Sequence, residues 1–238
     1  MKKCIKFIIA AAGIAGMSSA DLSFPDQFDR ADGSLGANWD VIWGTVAITN
    51  QQAYMPSTVD SGINGMGLVG VAIQNQVELG AEFSMQIEVA GGTPTARGII
   101  FNYTATNSFY AFRLLSTGIQ FGKISGAGTN VNYFTVLSQD FTPSAANTYQ
   151  FIVNASAPGE FELILNEIAG GITNEVYNKS WVDAGTALTG GYSGFYLNGG
   201  TGPKFDNFIV TTVPEPVTIG LLGISTAVLF IARRKIKR

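Results

Sequence analysis

The run Phe83-Ser84-Met85-Gln86-Ile87-Glu88-Val89 alternates apolar and polar side chains without a break. Successive side chains of a strand point to opposite faces, so a period of two means one buried face and one wet face. The same pattern extends outward along the chain. Strands are predicted at 45–49, 68–74, 98–104, 109–115, 119–124, 133–137, 149–154, 160–165, 193–197 and 204–211. Turn residues separate them: Ser116-Thr117-Gly118, Ala157-Pro158-Gly159 and Gly199-Gly200-Thr201-Gly202-Pro203. No stretch between the two ends keeps helical periodicity over three turns. Many short strands without an internal repeat or a second domain boundary predict one all-β domain, a two-sheet antiparallel sandwich.

Composition agrees with a packed domain. Of the 238 residues, 46% are hydrophobic and only 13% charged, which excludes a disordered chain. There is no His, and Cys4 is the one Cys. Cys/His zinc sites, Ser-His-Asp and Cys-His triads and thiol redox chemistry are therefore excluded.

The two ends have a different character. Lys2, Lys3 and Lys6 precede an apolar run at 7–17, and Ser18-Ser19-Ala20 follows it. That is the layout of a secretory signal, with cleavage expected between Ala20 and Asp21. Cys4 would leave with it. The other end reads Val213-Pro214-Glu215-Pro216, then an apolar span at 217–232, then a basic tail at 233–238 containing Arg233, Arg234 and Lys235. Sixteen helical residues reach about 24 Å, somewhat short of the hydrocarbon layer, and snorkelling arginines can cover the deficit. The positive charges hold that end in the cytoplasm, leaving the body outside.

This C-terminal arrangement resembles the PEP-CTERM sorting signal of Gram-negative bacteria. The resemblance covers about the last 26 residues. It implies recognition by an exosortase, processing near Pro214, Glu215 and Pro216, and delivery to the cell surface or extracellular matrix. The expected organisation is a signal peptide at 1–20, a β-sandwich at 21–212 and a sorting signal at 213–238. Signal peptidase, the Sec translocon and the inner membrane would be partners before processing. Without the two ends, the body keeps six basic against sixteen acidic residues, a net charge of −10, whereas the whole chain carries −3. An acidic body repels phosphate backbones, which argues against nucleic acid as a partner.

The order of several segments carries a second resemblance. Phe28-Asp29-Arg30 and Gly36-Ala37-Asn38-Trp39 are followed by Trp43-Gly44-Thr45-Val46-Ala47-Ile48, Gly98-Ile99-Ile100-Phe101 and Phe109-Tyr110-Ala111-Phe112-Arg113-Leu114. Tyr149-Gln150-Phe151-Ile152-Val153, Gly159-Glu160-Phe161-Glu162-Leu163, Gly194-Phe195-Tyr196 and Phe205-Asp206-Asn207-Phe208-Ile209-Val210 complete the series. Together these resemble a concanavalin A-like lectin/glucanase jelly roll over nearly the whole body. That fold serves sugar binding, polysaccharide hydrolysis and adhesion alike, so it does not settle function.

Glycoside hydrolysis needs two carboxyl groups about 5–5.5 Å apart for retention, or about 6.5–9.5 Å for inversion. Glu82 and Glu88 share a strand face but stand about 20 Å apart. Glu160 and Glu162, at about 6.6 Å, are the weak candidates, and their alternation with Phe161, Leu163 and Leu165 fits a solvated outer face equally well. The Glu-x-Asp-x-x-Glu motif of laminarinase-like members is absent. Trp39, Trp43, Tyr110, Tyr192 and Tyr196 are candidates for stacking on sugar rings. On a concave sheet face, Arg113 could hydrogen-bond sugar hydroxyls or a uronate carboxylate. Asp29 and Asp206 are candidate ligands for a structural Ca²⁺, if first and last strands lie side by side. No other cofactor is indicated. The expected function is carbohydrate or exopolysaccharide binding by an exported surface protein of a biofilm-forming cell. A glycoside hydrolase or polysaccharide lyase on the same fold, and a purely structural surface protein, are the alternatives.

Overall fold

The computed structural model describes residues 21–62, 67–90, 96–125, 133–199 and 202–213. The signal at 1–20 with Ala20, and the sorting signal with Pro214, Glu215, Pro216, the span at 217–232, Arg233, Arg234 and Lys235, lie outside the described residues.

The described residues form strands β1 (Leu22–Asp26), β2 (Trp39–Trp43), β3 (Thr45–Thr49), β4 (Gln52–Ser57), β5 (Val59–Asp60) and β6 (Leu68–Gln74). They continue as β7 (Phe83–Ala90), β8 (Ala96–Ala105), β9 (Ser108–Leu115), β10 (Ile119–Ile124) and β11 (Tyr133–Ser138). The series closes with β12 (Thr148–Ala157), β13 (Glu160–Ala169), β14 (Ile172–Val182), β15 (Tyr192–Asn198) and β16 (Lys204–Thr212). Two sheets result. Sheet A runs β14-β13-β12-β7-β16-β4-β3 with β1 beside β16, and sheet B runs β11-β10-β9-β8-β15-β6-β2 with β5 beside β6. All the strand pairs described are antiparallel. The all-β, two-sheet architecture expected from the alternation is the one observed.

The alternating run at 83–89 is β7, at the middle of sheet A. Phe83, Met85, Ile87 and Val89 are buried against sheet B, while Ser84, Gln86 and Glu88 face outward. First and last strands do pair, with Leu22 opposite Thr212 and Asp26 opposite Phe208. The layer between the sheets is rich in aromatics. Phe101, Tyr110, Phe121, Phe161 and Trp181 pack with ring centroids 4.5–6.2 Å apart. At the other end of the layer, Phe28, Trp39, Phe195 and Phe208 do the same.

Sheet B differs from an ordinary sandwich sheet in having a second apolar face. Val69, Val71, Ile73, Ile100, Tyr103, Phe109, Ala111, Ile124 and Tyr196 form a separate buried cluster, and every member belongs to sheet B. A sheet normally leaves one face for water, with polar residues on it, as sheet A does here.

Candidate functional site

The second face of sheet B is strongly concave. Trp43 on β2 and Phe109 on β9 have three strands between them, β6, β15 and β8. In a flat sheet four strand steps would separate them by about 19 Å. Their ring centroids are 6.4 Å apart. The sheet therefore curls so far that its edge meets its middle, and Tyr103 extends the aromatic wall 5.8 Å from Phe109.

One row of residues crosses this face. Trp43 stands opposite Val71, Val71 opposite Tyr196, Tyr196 opposite Gly98, Gly98 opposite Arg113, and Arg113 opposite Gln120. The β9–β10 hairpin sets the last of these pairings. Gly118 closes its turn at φ +111°, with Leu115 N donating to Gly118 O at 2.9 Å. L side chains rarely adopt that conformation, so glycine there fixes the register that faces Arg113 with Gln120. Gly98 is also required: a Cβ there would lie 2.1 Å from the Phe112 carbonyl oxygen. The position between Tyr196 and Arg113 thus carries no side chain, and the two reach across it.

Arg113 Nη1 donates to the Tyr196 hydroxyl at 3.0 Å. Its Nε and Nη2 donate to Gln120 Oε1 at 2.9 and 2.6 Å. The Phe134 ring covers the guanidinium, 3.5 Å from ring centroid to Cζ. Burial pushes the Tyr196 hydroxyl up from its ordinary pKa, opposed by the Arg113 charge and by hydrogen bonds from Asn198 and Arg113. Tyr196 is thus a neutral phenol at any physiological pH. The floor residues Val71, Ile100, Ala111 and Tyr196 are buried, while Trp43, Gln120, Phe134 and Tyr192 are half-buried at the rim. The arrangement can do what sugar sites do: offer flat apolar rings beside a few fixed polar groups.

The structure divides the six sugar-site candidates into two sets. Trp43, Arg113, Tyr192 and Tyr196 share the concave face. Trp39 and Tyr110 do not: both point between the sheets, and this corrects the expectation for them. Each is held there by a polar partner. Trp39 Nε1 donates to Asp26 Oδ2 at 2.7 Å, and the Tyr110 hydroxyl donates to Asp183 Oδ2 at 2.6 Å while accepting from Leu188 N at 2.9 Å. An indole or phenol with its polar atom satisfied inside a core has no reason to face solvent.

Glu160 and Glu162 project from the outer face of sheet A. They line a groove of about 250 Å³ with Asn154, Ser180 and Val182. Glu162 accepts from Asn154 Nδ2 at 2.8 Å, and Glu160 is exposed. Asp206 accepts from Gln52 Nε2 at 3.2 Å and from Asn207 N at 2.8 Å. Among the described residues no three His, Cys, Asp or Glu side chains gather at one point, Asp29 and Asp206 included. The first-strand carboxylate that matters structurally is Asp26, which was not singled out. Gln120, Phe134 and Phe109 were also missed as site residues. The position of Gln120 was readable in part, since it alternates with Ile119 and Phe121 just after the Ser116-Thr117-Gly118 turn.

No protein-family model matches the chain, and no curated protein does. Solved structures do. A carbohydrate-binding module, CBM66, from Bacillus subtilis matches with TM-score 0.52 and 16% identity over 72% of this chain and 93% of that one. A protein of unknown function with a galectin-like fold, also from Bacillus subtilis, matches with TM-score 0.53 and 13% identity over 83% of this chain and 99% of that one. A GH43 protein from Bacillus licheniformis matches with TM-score 0.53 and 12% identity over 80% of this chain, which spans 39% of that longer protein. At these identities the likeness establishes the sandwich fold and nothing finer.

Proposed function

We propose that this is an exported surface protein that binds polysaccharide on the concave face of sheet B. The observation that carries the reading is that face itself. Trp43, Tyr192 and Tyr196 share it with a hydrogen-bonded Arg113-Gln120 pair, on a scaffold of the kind a carbohydrate-binding module uses. Export rests on the two ends of the sequence: the Lys-rich apolar start, and the Pro-Glu-Pro, apolar span and basic tail in which an exosortase signal is read. The mature body is then 21–212 with a short remnant, attached at or released from the cell surface.

Binding of the purified protein to a panel of immobilised polysaccharides tests the central claim, with Trp43→Ala as the site control. Retention on at least one polymer, weakened by Trp43→Ala in a protein of unchanged circular dichroism, supports it. Retention on none overturns it. A hydrolase reading would draw on Glu160 and Glu162. New reducing ends from a bound polymer, abolished by Glu160→Gln or Glu162→Gln, would replace the binding reading with that one. Intact-mass measurement of the exported form tests processing. A mass corresponding to residues 1–238 would sink the sorting part alone.

A further inference from the structure

The geometry points to a carboxylated polysaccharide, one built from uronate units, as the ligand of the concave face, with Arg113 receiving the carboxylate and Tyr196 positioning it. This rests on the carbohydrate reading above and names the substrate class of that site.

The argument begins with an unneutralised charge. Arg113 is only 7% exposed. A buried guanidinium is costly unless an opposite charge compensates it. Lys123, largely buried, follows that rule and pairs with Asp183 at 2.7 Å. Arg97, also buried, points between the sheets and lies over the Tyr149 ring at 5.4 Å, out of reach of any ligand. Arg113 alone combines burial with a position on the concave face. Among the described residues its partners are an amide oxygen, a phenol oxygen and an aromatic ring, all neutral.

The hydrogen-bond inventory then specifies the missing partner. A guanidinium has five N–H groups. Three are used, two on Gln120 Oε1 and one on the Tyr196 hydroxyl. One N–H on each terminal nitrogen is left with no described acceptor. Arg113 Nη1 donates to the Tyr196 oxygen, which holds that end of the guanidinium in place. Two donors of Arg113 thus stand together beside Gly98, where no side chain intervenes. A sugar hydroxyl both donates and accepts, whereas a carboxylate only accepts and takes two donors of a guanidinium at once. An acceptor-only, negatively charged group is what satisfies this set. The site is the more selective because the body carries −10 overall, so an acidic polymer gains nothing from the general field. It has to be recognised at one place.

The test measures affinity of the purified full-length protein for polygalacturonate, for the same polymer after carboxyl reduction, and for a sulfated glucan. Carboxyl reduction and Arg113→Gln should each weaken binding by about ten- to hundred-fold, the range of one charge-assisted contact. Arg113→Lys should fall between, having charge without the fork. Should Arg113→Gln fail to fold, as judged by circular dichroism, Tyr196→Phe removes the hydroxyl that positions Arg113 Nη1 while keeping the ring. It should cost several-fold on the acidic polymer and nothing on the reduced one. Equal affinity for acidic and carboxyl-reduced polymer overturns the inference and leaves polysaccharide binding standing. So does undiminished binding of the acid form by folded Arg113→Gln. Equal binding of the sulfated glucan overturns the assignment to a carboxylate. Binding of no polymer, neutral or acidic, removes this inference together with the function it rests on.

Discussion

Removing the carboxylate of Asp26 should cost this domain a large part of its stability. That carboxylate accepts from Phe28 N at 2.8 Å, from Trp39 Nε1 at 2.7 Å, and from both terminal nitrogens of Arg30 at 2.9 Å. Asp26→Ala leaves the Trp39 and Phe28 donors in a buried site without acceptors. Each such orphan costs about 1–3 kcal/mol. The Arg30 side chain is 37% exposed, so water replaces most of what its pair contributes, and that share is about 0–1 kcal/mol. The sum is about 2–7 kcal/mol against a total stability of about 5–15 kcal/mol for a domain. Urea denaturation followed by tryptophan fluorescence should show the midpoint fall with little change in slope, and the melting temperature should drop by about 2–4 °C per kcal/mol. Asp26→Asn, which keeps one oxygen, should lose less. Trp39→Phe combined with Asp26→Ala should recover part of the loss, because the orphaned indole N–H is gone. A loss under about 1 kcal/mol for Asp26→Ala, or strict additivity of the double variant, would refute the argument that these buried donors depend on Asp26.

Three further outcomes follow from the same geometry. Tyr110→Phe should destabilise by about 1–2 kcal/mol, since Leu188 N loses its acceptor and Asp183 a donor, as read by thermal melting. Gly98→Ala should cost more than about 2 kcal/mol and abolish polysaccharide binding, because a Cβ 2.1 Å from the Phe112 carbonyl must push β8 and β9 apart beneath Arg113. Stability should also fall at both extremes of pH. Burial tends to raise the Asp26 and Asp183 carboxyls, but hydrogen bonds from Arg30 and Trp39, and from Lys123 and Tyr110, hold both below the usual carboxylate range. The unfolded chain then binds more protons than the folded one in acid. Their contribution is complete above about pH 4 and disappears as pH falls through the folded values. Burial pushes Tyr103 and Tyr149 up to about 12, so the folded chain holds protons the unfolded one loses, and stability drops as pH climbs from about 10 towards those values. Chemical denaturation across pH, with a plateau between the two limbs, is the measurement. A melting temperature that stays flat below pH 4 would contradict the acid limb.

Short runs of strand-forming residues set between turn residues were sufficient to predict most of the strands. The stretches at 45–49, 68–74 and 119–124 coincide with β3, β6 and β10, and the rest differ at their ends by a few residues. β14 went unseen for a physical reason. It is the edge of sheet A, exposed along most of its length, so nothing selects a regular alternation in Ile172–Val182. β1, β2, β4 and β5 are short or irregular and sit beside turns, where pairing to a neighbour rather than side-chain pattern makes the strand.

What the sequence determined by itself is the type of building unit. Apolar residues at every second position must be buried together, and turn residues at intervals make the strands short, so two antiparallel layers follow from local chemistry. Only the tertiary structure decided which aromatic rings serve the core and which serve a site. Trp39 and Trp43 stand at the two ends of one five-residue strand. They go to opposite faces because the β2–β6 register shifts between Val41 and Trp43. Tyr110 and Arg113 part by plain alternation, being three residues apart on one strand. Whether a face lies against the other sheet or forms the inside of a curve depends on how the whole sheet bends. That bend joins Trp43 to Phe109 across three intervening strands, a relation between distant residues that no local pattern encodes.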